Sequence, residues 1–89
     1  MTTILQNDRY RRGFVKFVKN DLKRAHQLKK ILKLLLQDPQ HPGLNMEKLK
    51  GSKIYTARIN KGDRLFFQWI SDSTILLIDI GPHDKYRDY

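Results

Sequence analysis

Four side chains in the second half of the chain combine the residue types needed to cleave an RNA phosphodiester without a metal. Such cleavage requires a base that takes the proton of the 2′-oxygen, cations that stabilise the charged phosphorane, and an acid that protonates the leaving 5′-oxygen. His83 can serve as acid or base, because histidine exchanges protons near neutral pH. Arg58 and Arg64 can donate forked hydrogen bonds to phosphate oxygens, and Tyr86 can stack on a base. We therefore treat these residues as one candidate site.

The residue types leave two questions about this site open. Glu47 is the only glutamate in the chain, so the general base is either Glu47 or His83. The alternative interpretation of Glu47 is a solvated loop residue. Arg58 also has a purely structural alternative, an ion pair with Asp79 across a sheet, since half-buried arginines are usually paired.

Three short apolar runs must position these side chains, at residues 54–59, 65–70 and 74–80. They are rich in β-branched and aromatic residues, and turn residues at 60–63 and 71–73 separate them, which predicts antiparallel hairpin strands. Side chains alternate between the two faces of a strand. We expect one face to pack on helices, with the following members: Tyr55, Ala57, Ile59, Leu65, Phe67, Trp69, Leu76, Ile78 and Ile80. The opposite face then carries Thr56, Arg58, Arg64, Phe66, Gln68 and Asp79.

The first half of the chain predicts the helical backing for this sheet. Residues 2–6 suit an edge strand, and Asn7 or Asp8 can cap a helix that runs to about residue 19. A second amphipathic helix is predicted from Asp21 to about residue 37, and residues 39–50 are expected to form a loop or a single turn. The prediction is an α+β domain over residues 1–89, a small antiparallel sheet with two N-terminal helices packed on one face.

Composition limits the classes of partner. The 89 residues carry a net charge of +9, and the excess lies in residues 1–50, with 12 basic and 4 acidic residues. A basic surface on a small domain favours a polyanionic partner, either nucleic acid or an acidic protein segment. The chain contains no cysteine, which excludes a disulfide framework and a thiolate metal site. We expect no cofactor, no bound metal and no membrane partner, and the cytoplasm as the location.

The order of these elements resembles the RelE/ParE superfamily of type II toxin–antitoxin toxins. The resemblance covers essentially the whole chain and rests on three stretches: LKG (49–51) through YTARI (55–59), DRLFF (63–67) and IDIGPHDKY (78–86). It implies a toxin that acts as a metal-independent endoribonuclease (an mRNA interferase), cutting messenger RNA at the ribosome to inhibit translation and leaving 2′,3′-cyclic phosphate ends. It also implies an antitoxin partner, usually acidic, that holds the toxin inactive.

The resemblance assigns roles residue by residue. Arg64 matches the arginine that contacts the scissile phosphate, and Arg58 lies where several members have a basic residue on the preceding strand. His83 matches the His or Arg after the final strand, and Tyr86 matches the C-terminal tyrosine, a position for which Tyr89 competes. The glutamate of one subfamily has no clear counterpart, because Glu47 lies close to the glycine at position 51.

Two other functions fit the same composition. The superfamily includes non-catalytic toxins that inhibit DNA gyrase, and these lack the nuclease residues. A plain nucleic-acid-binding module would use the sheet arginines for phosphate and His83 for structure. The combination of Arg64, His83 and Tyr86 favours the nuclease interpretation, because a pure binding protein does not need a histidine and a tyrosine after its last strand.

Overall fold

The computed structural model describes residues 2–89. Two helices and five strands form the regular part of this range. They are β1 (Thr3–Gln6), α1 (Asp8–Val18), α2 (Leu22–Gln37), β2 (Glu47–Lys48), β3 (Ile54–Arg58), β4 (Asp63–Ser71) and β5 (Thr74–Pro82). Two stretches of 3-10 helix complete the chain, Pro42–Leu44 and His83–Asp88. We call the second of these the C-terminal turn.

Both helices begin where an Asx side chain satisfies a free backbone donor. The Asn7 side chain accepts a hydrogen bond of 2.8 Å from the Tyr10 amide, and Asp21 accepts one of 3.0 Å from the Arg24 amide. Asn20, between the helices, adopts a left-handed φ of 56°, which asparagine tolerates better than most residues. The predicted helical hairpin is therefore confirmed. Neither helix within residues 2–89 is long and apolar enough to cross a membrane.

The strands form one sheet in the order β1-β5-β4-β3-β2. β3, β4 and β5 pair antiparallel as the hairpin turns predict. β1 joins the edge parallel to β5, from Thr3 opposite Thr74 to Gln6 opposite Leu77. The α+β class and the edge position of β1 are thus confirmed, and the sheet is mixed. Two helices and three strands separate β1 from its partner, so no hairpin turn in the sequence indicates the direction of this pairing.

The helices cover one face of the sheet. The core between the layers has the following fully buried members: Tyr10, Leu28, Leu35, Ala57, Leu65, Phe67, Ile75 and Leu77. The prediction that Leu76 and Ile78 face the helices is wrong. Phe66 pairs with Asp79 whereas Phe67 pairs with Leu77, so β5 has one extra residue at this point. This bulge reverses the alternation and directs Leu76 and Ile78 to the other face, where they pack near Phe66.

The segment predicted as loop at residues 39–50 contains a strand. Glu47 and Lys48 form β2, which pairs antiparallel with Thr56 and Tyr55 of β3. Two exposed polar residues have no apolar alternation, so hydrophobic periodicity could not detect this strand. Its register matters below, because it places Glu47 on the sheet.

Candidate functional site

The C-terminal turn lies against the face of the sheet that the helices leave open. Its first amide, of His83, donates a hydrogen bond of 2.9 Å to the Gly62 carbonyl in the loop between β3 and β4. The Tyr86 ring packs edge-on against Phe66, with the ring centroids 5.6 Å apart. The hydroxyl groups of Tyr86 and Thr56 are hydrogen-bonded at 2.9 Å. These contacts fix the C-terminal turn on β3 and β4 and leave the outer side of the turn exposed to solvent.

His83 and Tyr86 are in direct contact, as a single site requires. Their rings stack with centroids 4.2 Å apart and an angle of 27° between the ring planes. The His83 side chain is exposed and Tyr86 is half-buried. The imidazole can therefore exchange protons with a substrate or with solvent while the tyrosine ring holds its orientation.

Arg58 and Arg64 lie directly opposite each other on β3 and β4. Side chains of directly paired residues project from the same face, so two cations are adjacent at this end of the sheet. Within residues 2–89, neither arginine has a carboxylate at ion-pair distance. Like charges in this arrangement repel each other, and an anion bound between them would relieve the repulsion.

Arg64 is also fixed by the turn that precedes it. Its Nη1 donates to the Asn60 and Asp63 carbonyl oxygens at 3.0 Å each. The same nitrogen lies 3.3 Å from the Lys61 carbonyl. Among the described residues, no protein acceptor bonds Nε or Nη2, which leaves these donors for a ligand. Across the sheet, Arg64 pairs with Gly81 of β5, two positions before His83. The strand pairing thus brings Arg64 to the base of the C-terminal turn.

Glu47 occupies the rim of the same face. It pairs directly with Thr56, the residue whose hydroxyl bonds Tyr86. The carboxylate is exposed, and directly paired side chains share a face. The interpretation of Glu47 as a loop residue is therefore wrong, and the structure places it beside the candidate site. Sequence spacing alone missed this proximity, because it depends on the register of a two-residue strand.

Asp79 does not pair with Arg58. It is buried, and its carboxylate accepts a hydrogen bond of 2.7 Å from the Tyr89 hydroxyl. Arg9 Nε lies 3.1 Å from the same oxygen, and Lys85 Nζ lies 3.4 Å from the other oxygen. Asp79 pairs directly with Phe66, as the predicted faces require, but its ionic partners come from α1 and the C-terminal turn and not from β3. We call these residues, Asp79 with Arg9, Lys85 and Tyr89, the Asp79 network.

The two candidate tyrosines therefore occupy different places. Tyr86 stacks on His83, whereas Tyr89 bonds Asp79 and packs near Phe66 at a centroid distance of 5.4 Å. The pKa of Tyr89 is raised well above its usual value, mainly by burial and to a smaller extent by the hydrogen bond to Asp79. Tyr89 thus donates a hydrogen bond and anchors the turn. Of the predicted residues, His83 and Tyr86 are in contact, and Arg58 and Arg64 are paired at the end of β3 and β4 from which the C-terminal turn departs.

The candidate site is an open surface, and none of the principal cavities reaches His83 or Tyr86. The described part of the chain holds no group of three or more His, Cys, Asp or Glu side chains placed to bind a metal ion. The chemistry available on this face is that of an exposed imidazole, a carboxylate, a phenol and two guanidinium groups.

No protein-family model matches this sequence, and no curated protein matches it significantly. Solved structures match it closely in fold. A metal-bound toxin from Helicobacter pylori has a TM-score of 0.77 at 22% identity, and the match covers 96% of this chain and 98% of that one. A YoeB/ParE toxin from Agrobacterium tumefaciens has a TM-score of 0.78 at 14% identity, over 92% and 99% of the two chains. The E. coli DinJ-YafQ toxin–antitoxin complex matches with a TM-score of 0.75 at 20% identity, over 93% of each.

Proposed function

We propose that this chain, which has the fold of the toxins just described, as the resemblance to RelE/ParE toxins implies, is a toxin of a type II toxin–antitoxin system. We propose further that it cleaves messenger RNA at the ribosome. The observation that carries the proposal is the contact of His83 with Tyr86 beside the opposed pair Arg58 and Arg64. A non-catalytic binding face does not require an exposed imidazole held by a tyrosine.

The proposed reaction needs only the side chains of this face. A base removes the proton of the RNA 2′-oxygen, which attacks phosphorus as the bond to the 5′-oxygen breaks. Arg58 and Arg64 stabilise the charge on the phosphorane, and an acid protonates the leaving oxygen. The products are a 2′,3′-cyclic phosphate and a free 5′-hydroxyl group. No redox step or hydrolysis of the cyclic ester is needed.

We assign the base to Glu47 and the acid to His83. A carboxylate is ionised at neutral pH and can accept a proton, whereas histidine also populates the protonated form that an acid needs. Glu47 is exposed on the strand next to Thr56, whose hydroxyl bonds that of Tyr86, and His83 stacks on the ring of the same tyrosine. Tyr86 orients His83 and offers a stacking surface for a base of the RNA.

The first test is cleavage of a messenger RNA by purified protein, with and without ribosomes. His83→Ala and Arg64→Ala should each lower the rate about 10²- to 10⁴-fold, the usual contribution of a general acid or of a charge-stabilising group. His26→Ala is a matched control, because His26 is an exposed histidine on α2, away from this face. If both site variants keep full cleavage, the site assignment is wrong.

Glu47→Gln separates the two candidate bases. With Glu47 as the base, this variant should lose cleavage by a similar factor, because an amide cannot accept the 2′-proton. With His83 as the base, cleavage by Glu47→Gln should stay within a few-fold of the unmodified protein. The rate is measured on the same RNA, and mapping of the cleaved ends reports the cyclic phosphate.

A cellular experiment tests the wider claim. Induction of the chain alone should arrest growth and produce new RNA ends inside coding regions, in codon register, that are absent with His83→Ala. Growth arrest without new RNA ends would replace this proposal with a gyrase-directed toxin. An acidic antitoxin completes the proposal, supported by the net charge of +9 and by a fold shared with the toxin of the DinJ-YafQ complex.

A further inference from the structure

A second basic surface lies on the helix side of the sheet, separate from the candidate site. It is a cleft of about 430 Å³ between α1, the start of α2 and the end of β5. Its lining includes the apolar residues Phe17, Ile80 and Pro82. Its described lining includes five basic side chains, Arg9, Arg12, Lys16, Arg24 and Lys85, against the two carboxylates of Asp63 and Asp79. The cleft is therefore strongly positive.

Two of the cations in this cleft have no acidic partner. Arg9 and Lys85 belong to the Asp79 network, and Arg24 lies 3.7 Å from Asp63. Within residues 2–89, Arg12 and Lys16 form no ion pair with a carboxylate. They lie four positions apart on one face of α1, where like charges repel each other and destabilise a helix. A bound anion would remove this repulsion.

The cleft and the candidate site share one wall. Gly81, Pro82 and Lys85 line the cleft, and Pro82 directly precedes His83 of the C-terminal turn. A nucleic-acid strand that leaves the candidate site over this wall therefore meets the free cations Arg12 and Lys16. A positively charged groove that follows the backbone is one of the usual features of sites for single-stranded nucleic acid. An acidic protein segment would match the charge of the cleft, but nothing requires such a segment to run from His83 into the cleft, as an RNA bound at the candidate site would.

We propose that this cleft binds backbone phosphates of the RNA strand next to the cleaved nucleotide. The inference rests on the proposed function for the identity of the strand, and it adds a binding site on the opposite side of β5. Arg12 donates a forked pair of hydrogen bonds to one phosphate, and Lys16 contributes a point charge to the same or the next phosphate.

The test measures binding of a short single-stranded RNA that is fully 2′-O-methylated, which has no free 2′-hydroxyl group and cannot be cleaved. Affinities of the unmodified protein and of the double variant Arg12→Gln with Lys16→Gln are measured by fluorescence anisotropy from about 50 to 200 mM salt. The control is Lys29→Gln with Lys33→Gln, which removes the same charge from exposed positions on α2 outside the cleft. A polyglutamate peptide is the second probe.

Loss of two phosphate contacts should flatten the slope of log K against log salt by about 1.4, at about 0.7 per contact with a single strand. Affinity for the RNA at low salt should fall on the order of tenfold, and the control should match the unmodified protein. Equal losses in the double variant and the control would overturn the proposal in favour of general attraction by the net charge. A loss confined to polyglutamate would overturn it in favour of an acidic protein segment.

The assay also separates this inference from the proposed function. His26→Ala changes an exposed histidine of α2 that does not line the cleft, and it should bind the 2′-O-methylated RNA as the unmodified protein does. One outcome is that the double variant shows the expected loss of RNA affinity while the unmodified protein cleaves no RNA. In that case the nuclease proposal fails and the cleft remains a nucleic-acid site. Undetectable binding of the RNA by the unmodified protein overturns the cleft proposal.

Discussion

Tyr10 and Tyr89 show how one residue type serves two purposes in this small protein. Tyr10 is a core residue with 2% of its surface exposed, and its ring stacks on Phe14 at a centroid distance of 6.1 Å. Tyr89 uses its hydroxyl to bond Asp79. Burial raises the pKa of Tyr10 to about 12, because a phenolate in the core would lose its hydration. In the folded chain, both phenols therefore stay protonated above pH 10, where an exposed tyrosine ionises.

We therefore expect the protein to lose stability between pH 10 and pH 12. In this range Tyr10 is ionised in the unfolded chain and neutral in the folded chain. The contribution of Tyr10 to the free energy of unfolding is therefore fully present below pH 10 and is lost as pH rises through about 12. Each such tyrosine changes the free energy of unfolding by up to about 1.4 kcal/mol per pH unit. Urea denaturation across this range measures the slope, and Tyr10→Phe should reduce it. An unchanged slope in Tyr10→Phe would contradict the assignment.

At the scale of elements, the helices depend on their first residues. Asn7 precedes α1 and accepts a hydrogen bond from the Tyr10 amide, while the Asn7 amide itself donates 3.1 Å to the Leu77 carbonyl of β5. The residue that starts the helix thus also fixes the start of the helix to the sheet. This double role makes Asn7 the most informative cap to change.

Asn7→Ala should lower the free energy of unfolding by about 1 kcal/mol, because the side-chain acceptor for the first turn is lost. Asn7→Asp is the matched variant, since it keeps an acceptor in the same place and adds a charge that suits the N-terminus of a helix. It should unfold within a few tenths of a kcal/mol of the unmodified protein. Equal losses in both variants, measured by urea denaturation, would mean that the cap bond contributes little.

Elements with local signals could be predicted from the sequence, and those defined by pairing could not. Asn7, Asp21 and the residue before Pro39 gave both helices to within two residues, because caps and breakers act on adjacent backbone. The bulge in β5 has no such local marker, so the faces of Leu76 and Ile78 were assigned wrongly. In the candidate site, Arg64 and His83 are proposed from their residue types and from the family resemblance. The position of Glu47 required the actual register of β2, and the partners of Asp79 required the actual positions of α1 and the C-terminal turn.

At the scale of the whole molecule, the Asp79 network joins parts that are far apart in sequence. Its buried carboxylate holds Arg9 from α1 together with Lys85 and Tyr89 from the C-terminal turn. Arg9 also lies over the Tyr89 ring, at 5.4 Å from its centroid, and 3.4 Å from a carboxylate oxygen of Asp88. The turn that presents His83 is thus secured on two sides, to the sheet by Tyr86 and to the helices through Asp79.

Asp79→Asn should therefore destabilise the protein by about 3 kcal/mol, the lower end for breaking a buried ion pair, because half-exposed Arg9 regains some hydration. Chemical denaturation gives this value. Asp72→Asn is the matched control, an exposed aspartate between β4 and β5, and it should change stability by less than about 0.5 kcal/mol. A similar small change for Asp79→Asn would show that the network is not a major source of stability.

The parallel pairing of β1 with β5 sets the order in which this chain can fold. Thr3 can meet its partner Thr74 only after both helices and strands β2 to β4 have been synthesised, so β1 is among the last of these strands to pair. Pairings of such high sequence separation close large loops and slow the folding of a domain. During synthesis, α1 and α2 can form early, but the surface they cover does not exist until β5 is complete. His83 and Tyr86 follow β5 directly, so the candidate site can assemble only once β5 has taken its place between β1 and β4.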